Sequence, residues 1–136
     1  MANAIYPKYK EALLGGDSNI SLANSEGTVV VSLIDTANNA YDANNQFYSD
    51  LDAADVIASA NIENTTIENG LFDGDDVTFS SVSGDECEAL LIWIDTTDPA
   101  TSRLVAFLDT GVSGLPVSPN GSDIDIEWNV SGIFQL

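Results

Sequence analysis

The side chains in this sequence that could do chemistry are almost all carboxylates. The chain has 22 acidic residues and no histidine, and its acidic side chains are densest in Asp50-Leu-Asp52 with Asp55 and in Asp73-Gly-Asp-Asp76. Without histidine, Ser-His-Asp and Cys-His triads and the common His-containing metal sites are excluded. Carboxylate clusters could bind calcium, but neither has the spacing of an EF-hand loop. Because aspartate also stabilises turns, we interpret both clusters as structural and predict neither a metal nor a cofactor.

The remaining candidates for catalysis are also weak. Cys87 is the only cysteine and lies between Glu86 and Glu88, which would raise its pKa and make it an inert strand residue. A carboxylate pair for glycoside hydrolysis depends on a spacing that only the tertiary structure sets. The glycines are mostly scattered between strands and form no phosphate-binding loop. We therefore predict that the protein is not an enzyme.

The charge of the chain restricts its partners. Three basic residues against 22 acidic ones leave a formal charge of −19. Nucleic acids and anionic membranes are excluded as partners, since both are bound through clustered Lys and Arg. The charge favours solubility, and it could also complement a basic patch on a protein partner. We also expect no signal peptide and no membrane-spanning segment.

Short apolar runs separated by turn residues must position these side chains. The pattern predicts strands over Thr28–Ile34, 56–62, 76–82 and 123–130, and an antiparallel pair within 87–109 whose corner is 95–101. The residues from 65 to 68 are predicted to pair after a turn, and Asn69-Gly70 is a tight-turn signal. Trp93 and Trp128 lie in strongly patterned strands and are predicted to be core residues.

One short helix is predicted over residues 5–14. Pro7 suits its first turn, and Gly15-Gly16 would end it. A long polar connection, residues 35–55, carries several aromatic residues, which we expect to hold it against the body. The three most apolar strands, 28–34, 89–94 and 104–108, need a cover on both faces, which this connection and the helix or a second copy of the chain would supply.

Together these patterns predict an all-β fold. We expect an antiparallel β-sandwich, jelly-roll-like, with about seven or eight strands and one short N-terminal helix. The whole chain, residues 1–136, is predicted to be a single domain, in which residues 1–26 form an N-terminal arm and the helix.

Several segments resemble small virion structural proteins of tailed bacteriophages. They are Tyr6-Pro-Lys-Tyr-Lys-Glu-Ala-Leu-Leu14, Val31-Ser-Leu-Ile-Asp-Thr36, Gly70-Leu-Phe-Asp-Gly-Asp-Asp-Val-Thr-Phe79, Ser102-Arg-Leu-Val-Ala-Phe-Leu-Asp109, Gly114-Leu-Pro-Val-Ser-Pro-Asn-Gly121 and Asp125-Ile-Glu-Trp128. The resemblance implies a capsid decoration, or cement, protein bound in symmetric clusters to the outer face of an icosahedral head. The chain departs from this family in its extreme acidity.

Specific partners and contacts follow from this resemblance. The partners would be the major capsid protein and further copies of the chain, with a trimer favoured over a dimer and self-contacts through the apolar strands. The predicted contact residues are Tyr6, Lys8, Tyr9, Lys10 and Arg103, and the predicted location is the outer capsid surface of the virion. Two alternatives stay open: a tail-associated structural protein, and a host-surface glycan-binding β-sandwich that uses Tyr41, Phe47 and Tyr48.

Overall fold

Antiparallel strands build most of this chain. The computed structural model describes residues 3–136, apart from the side chain of Asp55. Within that range the strands are β1 (Ala4–Ile5), β2 (Thr28–Ile34), β3 (Val56–Asn61), β4 (Thr66–Glu68), β5 (Leu71–Asp73), β6 (Val77–Phe79), β7 (Ala89–Asp95), β8 (Leu104–Leu108), β9 (Ile124–Ile126) and β10 (Phe134–Gln135). With one α-helix, α1 (Pro7–Gly15), and two single 3-10 turns, the predicted all-β class with a short helix is confirmed. The strands number ten rather than seven or eight because three very short ones, β1, β5 and β10, were not predicted.

The centre of the molecule is a five-stranded antiparallel sheet in the order β1-β8-β7-β2-β3. Strands β7 and β8 pair as the predicted hairpin, with Leu91 opposite Phe107, and β2 pairs with β7 along its whole length, from Thr28 opposite Asp95 to Ile34 opposite Ala89. Branched and aromatic side chains favour this extended backbone, since they pack well on a pleated surface.

One face of this sheet is covered by the connection over residues 35–55. The ring of Tyr48 stacks on Trp93 with 4.1 Å between centroids, and the ring of Tyr41 meets the edge of Phe107 at 5.5 Å. The backbone of the connection is also bonded to the body, because the Tyr48 N–H donates to the carbonyl of Ser102 at 2.8 Å. The aromatic residues therefore hold the connection to the body, as predicted.

The other face of the sheet packs on two smaller sheets. One has the order β10-β5-β4 and the other pairs β6 with β9. Phe72, Phe79 and Ile126 from these sheets share one hydrophobic core with Val31 and Ile92 of the central sheet. Because a single chain covers both faces, the apolar strands are not surfaces for contact with another copy, and that part of the sequence interpretation is corrected.

The most regular sequence alternation gives only a short strand. Residues 123–130 were predicted as one strand, but β9 covers only Ile124–Ile126, and Trp128 lies beyond its end. The alternation holds as far as Trp128, since Ile124, Ile126 and Trp128 are buried and Asp125 is exposed. It fails at Val130, which the pattern predicts to face inward and which is fully exposed. Trp128 stays buried although it lies beyond the strand, because its indole N–H donates to the carbonyl of Asp75 at 2.9 Å.

Helix α1 packs against the body through Tyr9 and Ala12. It ends at Gly16, whose φ of 67° is left-handed and whose N–H donates to the carbonyl of Leu13, a glycine C-cap that the Gly15-Gly16 pair predicted. No helix within the described residues is long and apolar enough to cross a membrane.

Many turns are closed by aspartate or asparagine side chains. Each of five such carboxylates accepts a hydrogen bond from the backbone N–H two residues further on: Asp35, Asp42, Asp52, Asp95 and Asp98. The side-chain carbonyls of Asn120 and Asn129 accept from Ser122 and Ser131 in the same way. These local bonds define the Asx turn, which both residue types form readily.

Candidate interaction surface

Two of the predicted contact residues, Tyr6 and Tyr9, lie inside the molecule. They are 1% and 2% exposed. The Tyr6 N–H donates to the carbonyl of Val105 at 2.9 Å, and the Tyr9 hydroxyl donates to the carbonyl of Ile20 at 2.7 Å. Burial raises the pKa of both phenols, that of Tyr9 to about 12. Neither side chain is accessible to a partner: the Tyr6 backbone is bonded to β8, and Tyr9 ties α1 to the segment before β2.

Arg103 is also buried, with 7% of its surface exposed. Its Nε donates to the carbonyl of Ser18 at 2.9 Å, its guanidinium carbon lies 5.2 Å from the centre of the Phe47 ring, and Asp17 is 3.9 Å away. Its Nη1 has no hydrogen-bond partner within the described residues. The sequence predicts Arg103 as a contact residue for a partner, but the buried side chain is not available to a second subunit. It ties the segment before β2 and the 35–55 connection to the start of β8.

The lysines are the predicted contact residues that stay at the surface. Lys8 pairs with Glu11 one turn along the helix, at 3.0 Å between Nζ and Oε2, while Lys10 is exposed and forms no ion pair within residues 3–136. At 100° per residue, Lys8 and Lys10 stand on opposite flanks of α1 when Tyr9 and Ala12 face inward. With Arg103 buried, the accessible side-chain cations of the described chain are confined to this helix.

Lys10 borders an apolar groove between α1 and the C-terminal strand. The groove has a volume of about 450 Å³ and is lined by Ile5, Lys10, Leu13, Leu14, Gln135 and Leu136. Leu14 is 91% exposed and Leu136 60% exposed, so both leave large apolar side chains open to solvent beside the groove. Sequence reasoning missed this groove because β10 was not predicted, although the exposed Leu14 next to the Gly15-Gly16 stop was a signal.

The two acidic clusters are occupied by structural hydrogen bonds. Asp50 accepts from the N–H groups of Gln46 and Phe47 at 2.9 Å each, and Asp76 accepts from the N–H of Trp128 at 2.9 Å. Asp75 accepts from the side chain of Asn64 at 2.6 Å. Within the described residues, no group of three or more acidic or cysteine side chains is placed to hold a metal ion; the side chain of Asp55 lies outside those residues.

Cys87 has none of the features of a nucleophile. It is fully buried, and burial, assisted by the neighbouring carboxylates, raises the pKa of its thiol to about 11. A cavity of about 490 Å³ nearby is lined by Glu88, Asp109, Tyr41 and Phe107 among others. Glu88 is held there by the N–H and hydroxyl of Thr36, each at 3.3 Å, so this carboxylate has a structural role in the turn after β2.

The three aromatic residues of the glycan-binding alternative are half-buried, and each ring packs partly against the protein. Tyr48 is stacked on Trp93, Tyr41 lies between Tyr6 and Phe107, and Phe47 is covered by the Arg103 guanidinium. Sugar-binding aromatic platforms need open ring faces, and each of these three rings already has part of its surface occupied by a protein contact. The described structure thus offers no support for that alternative.

Comparisons with known proteins identify no family. No protein-family model matches the chain, and no curated protein matches it. The resemblance of individual segments to virion proteins therefore stays an expectation from the sequence, and the case for function depends on the surface of this chain.

Proposed function

We propose that this protein is a non-enzymatic virion structural protein of a tailed bacteriophage, a capsid decoration or cement protein. It binds the outer face of the icosahedral head next to the major capsid protein and stabilises the shell. The resemblance of the quoted segments supports the phage assignment, and the groove beside α1 supports a role based on protein contacts. A groove lined by contiguous exposed apolar side chains and rimmed by a polar residue is the kind of patch that marks protein contacts.

The physical basis of such a function is repetition. A small domain that contacts neighbouring shell subunits gains little from any one contact, but the icosahedral lattice repeats each contact many times, and linked contacts reinforce one another. A β body with both faces of its central sheet covered internally can take this load without rearranging. The net charge of −19 opposes non-specific aggregation of the chain before it reaches the shell.

Electron microscopy of purified virions tests this proposal directly. We expect density for the β body at symmetric positions on the outside of the head, and mass spectrometry should find this chain at a copy number comparable to that of the capsid subunit. Density in the tail alone would support the tail-associated alternative instead. A chain missing from purified virions would refute both structural assignments.

A loss-of-function experiment tests the stabilising role. Heads assembled without this protein should release DNA at a lower temperature than complete heads, and adding the purified chain should restore the release temperature. Heads with unchanged release temperature after its removal would contradict a cement function even if the protein is found on the shell.

A further inference from the structure

The groove beside α1 adjoins a small sheet whose edge strand, β4, carries Glu68. Gln135 of β10 lines the groove and pairs with Leu71 of β5, which pairs with Glu68 of β4. Partners in an antiparallel ladder point to the same face of a sheet. The six residues that define this surface, which we call the mixed-charge face, are Lys10, Leu14, Leu136, Gln135, Leu71 and Glu68.

Opposite charges stand at the two ends of the mixed-charge face. Neighbouring strands are about 4.8 Å apart, so Gln135 and Glu68 are separated by about 10 Å across β5, and Lys10 lies beyond Gln135 on the far side of the groove. Strand β4 is the open edge of its sheet, and all its residues are exposed. Glu68, like Lys10, forms no ion pair within residues 3–136.

This arrangement is complementary to itself under a two-fold rotation. An axis near Gln135, midway between the two charges, would place Lys10 of one copy beside Glu68 of the other, and the reverse, with Leu14 and Leu136 between them. Isologous interfaces require such self-complementarity. By contrast, a pairing of helix on helix would bring the two Lys10 side chains together.

The charge of the molecule argues for the same surface. Two copies that each carry −19 repel one another over most approaches. Electrostatic attraction needs an accessible, unpaired cation, and within the described chain Lys8 is already paired with Glu11 while Arg103 is buried. Lys10 is therefore the place where a second acidic copy is drawn in rather than repelled.

We propose that a second copy of this chain occupies the mixed-charge face and forms a two-fold dimer, rather than the trimer that the resemblance favoured. The groove beside α1 accepts apolar side chains of the partner, and two Lys10–Glu68 pairs fix the register. This inference goes beyond the proposed function and does not depend on it, since the dimer would form in the absence of a phage head.

Sedimentation velocity of the purified chain tests the dimer. At about 100 µM and moderate salt the wild type should sediment as a dimer, and Lys10→Glu should raise the dissociation constant at least about tenfold by placing two carboxylates together. The double variant Lys10→Glu, Glu68→Lys exchanges the two charges and should return the dissociation constant to within about threefold of the wild type.

Lys8→Glu is the matched control. It changes the net charge by the same amount as Lys10→Glu, but on the opposite flank of α1, so dimerisation should be unaffected. A wild type that stays monomeric at this concentration, or that forms a trimer, would overturn the proposal. Equal effects of Lys8→Glu and Lys10→Glu, or no rescue by the charge exchange, would show that net charge rather than this contact controls association.

Discussion

Tyr48 provides the strongest test of how the central sheet is closed. Its ring stacks on Trp93 with an interplanar angle of 24°, and it is the main aromatic contact between the 35–55 connection and the face of β7. The variant Tyr48→Ala removes this ring and leaves the backbone hydrogen bond to Ser102 available.

The expected cost follows from burial and stacking. Removing a fully buried aromatic side chain costs about 3–5 kcal/mol, and Tyr48 is only half-buried, so we expect a loss of about 2–3 kcal/mol, including about 1 kcal/mol from the stacked pair. For a chain of this length that loss lowers the Tm by about 8 °C.

Urea unfolding followed by tryptophan fluorescence measures this loss, because Trp93 lies against the Tyr48 ring and its emission changes when the chain unfolds. Tyr48→Phe keeps the ring and removes a hydroxyl that makes no hydrogen bond within the described residues, so its free energy of unfolding should stay within about 0.5 kcal/mol of the wild type. If Tyr48→Ala also stays within that range, the connection does not cover the sheet, and a second copy would have to do so.

Three further perturbations test the interior. Arg103→Glu should unfold the protein, since it buries a carboxylate beside Asp17, whereas Arg103→Met keeps the packing, removes the unpartnered Nη1 and should cost only about 1–2 kcal/mol by thermal denaturation. Ser32→Ala leaves the buried indole N–H of Trp93, which donates to the Ser32 hydroxyl at 2.9 Å, without an acceptor; we expect a loss of about 1–3 kcal/mol in urea, and an unchanged midpoint would show that water replaces the hydroxyl. Cys87, with its pKa raised to about 11, should react with iodoacetamide at pH 8 only after unfolding. Because folding favours the neutral thiol, its contribution to stability is complete below pH 9 and is lost as the pH rises towards 11, so Cys87→Ala should reduce the alkaline loss of Tm over that range.

The central strands were predictable because their cause is local. The runs at Thr28–Ile34 and Leu104–Leu108 were assigned with the bounds that the structure shows, since a continuous β-branched or apolar run between turn residues has few other solutions. The same reasoning identified α1 and its glycine stop. The short strands β5 and β10 escaped prediction because two or three residues carry no usable periodicity, and their pairing is set by chain about 60 residues apart in sequence.

The contact residues were less predictable than the strands. Nothing near Arg103 in the sequence indicates that Ser18 and Phe47 will surround it, because these contacts span 85 and 56 positions. From the sequence, a lone arginine in an acidic chain suggests a surface ion pair. In the structure this arginine is buried. The groove beside α1 was equally hard to predict from the sequence, because its two walls come from opposite ends of the chain.

The Asx turns separate the shape of this protein from its charge. Asp95 and Asn129 close their turns with the same kind of hydrogen bond, at 2.8 Å and 2.9 Å, so the backbone does not distinguish a carboxylate from an amide at such a position. Exchanges between these two residue types can accumulate along a lineage while every turn is preserved. The net charge of this fold can therefore be adjusted to a medium of different ionic strength by Asp–Asn exchanges that leave the backbone unchanged.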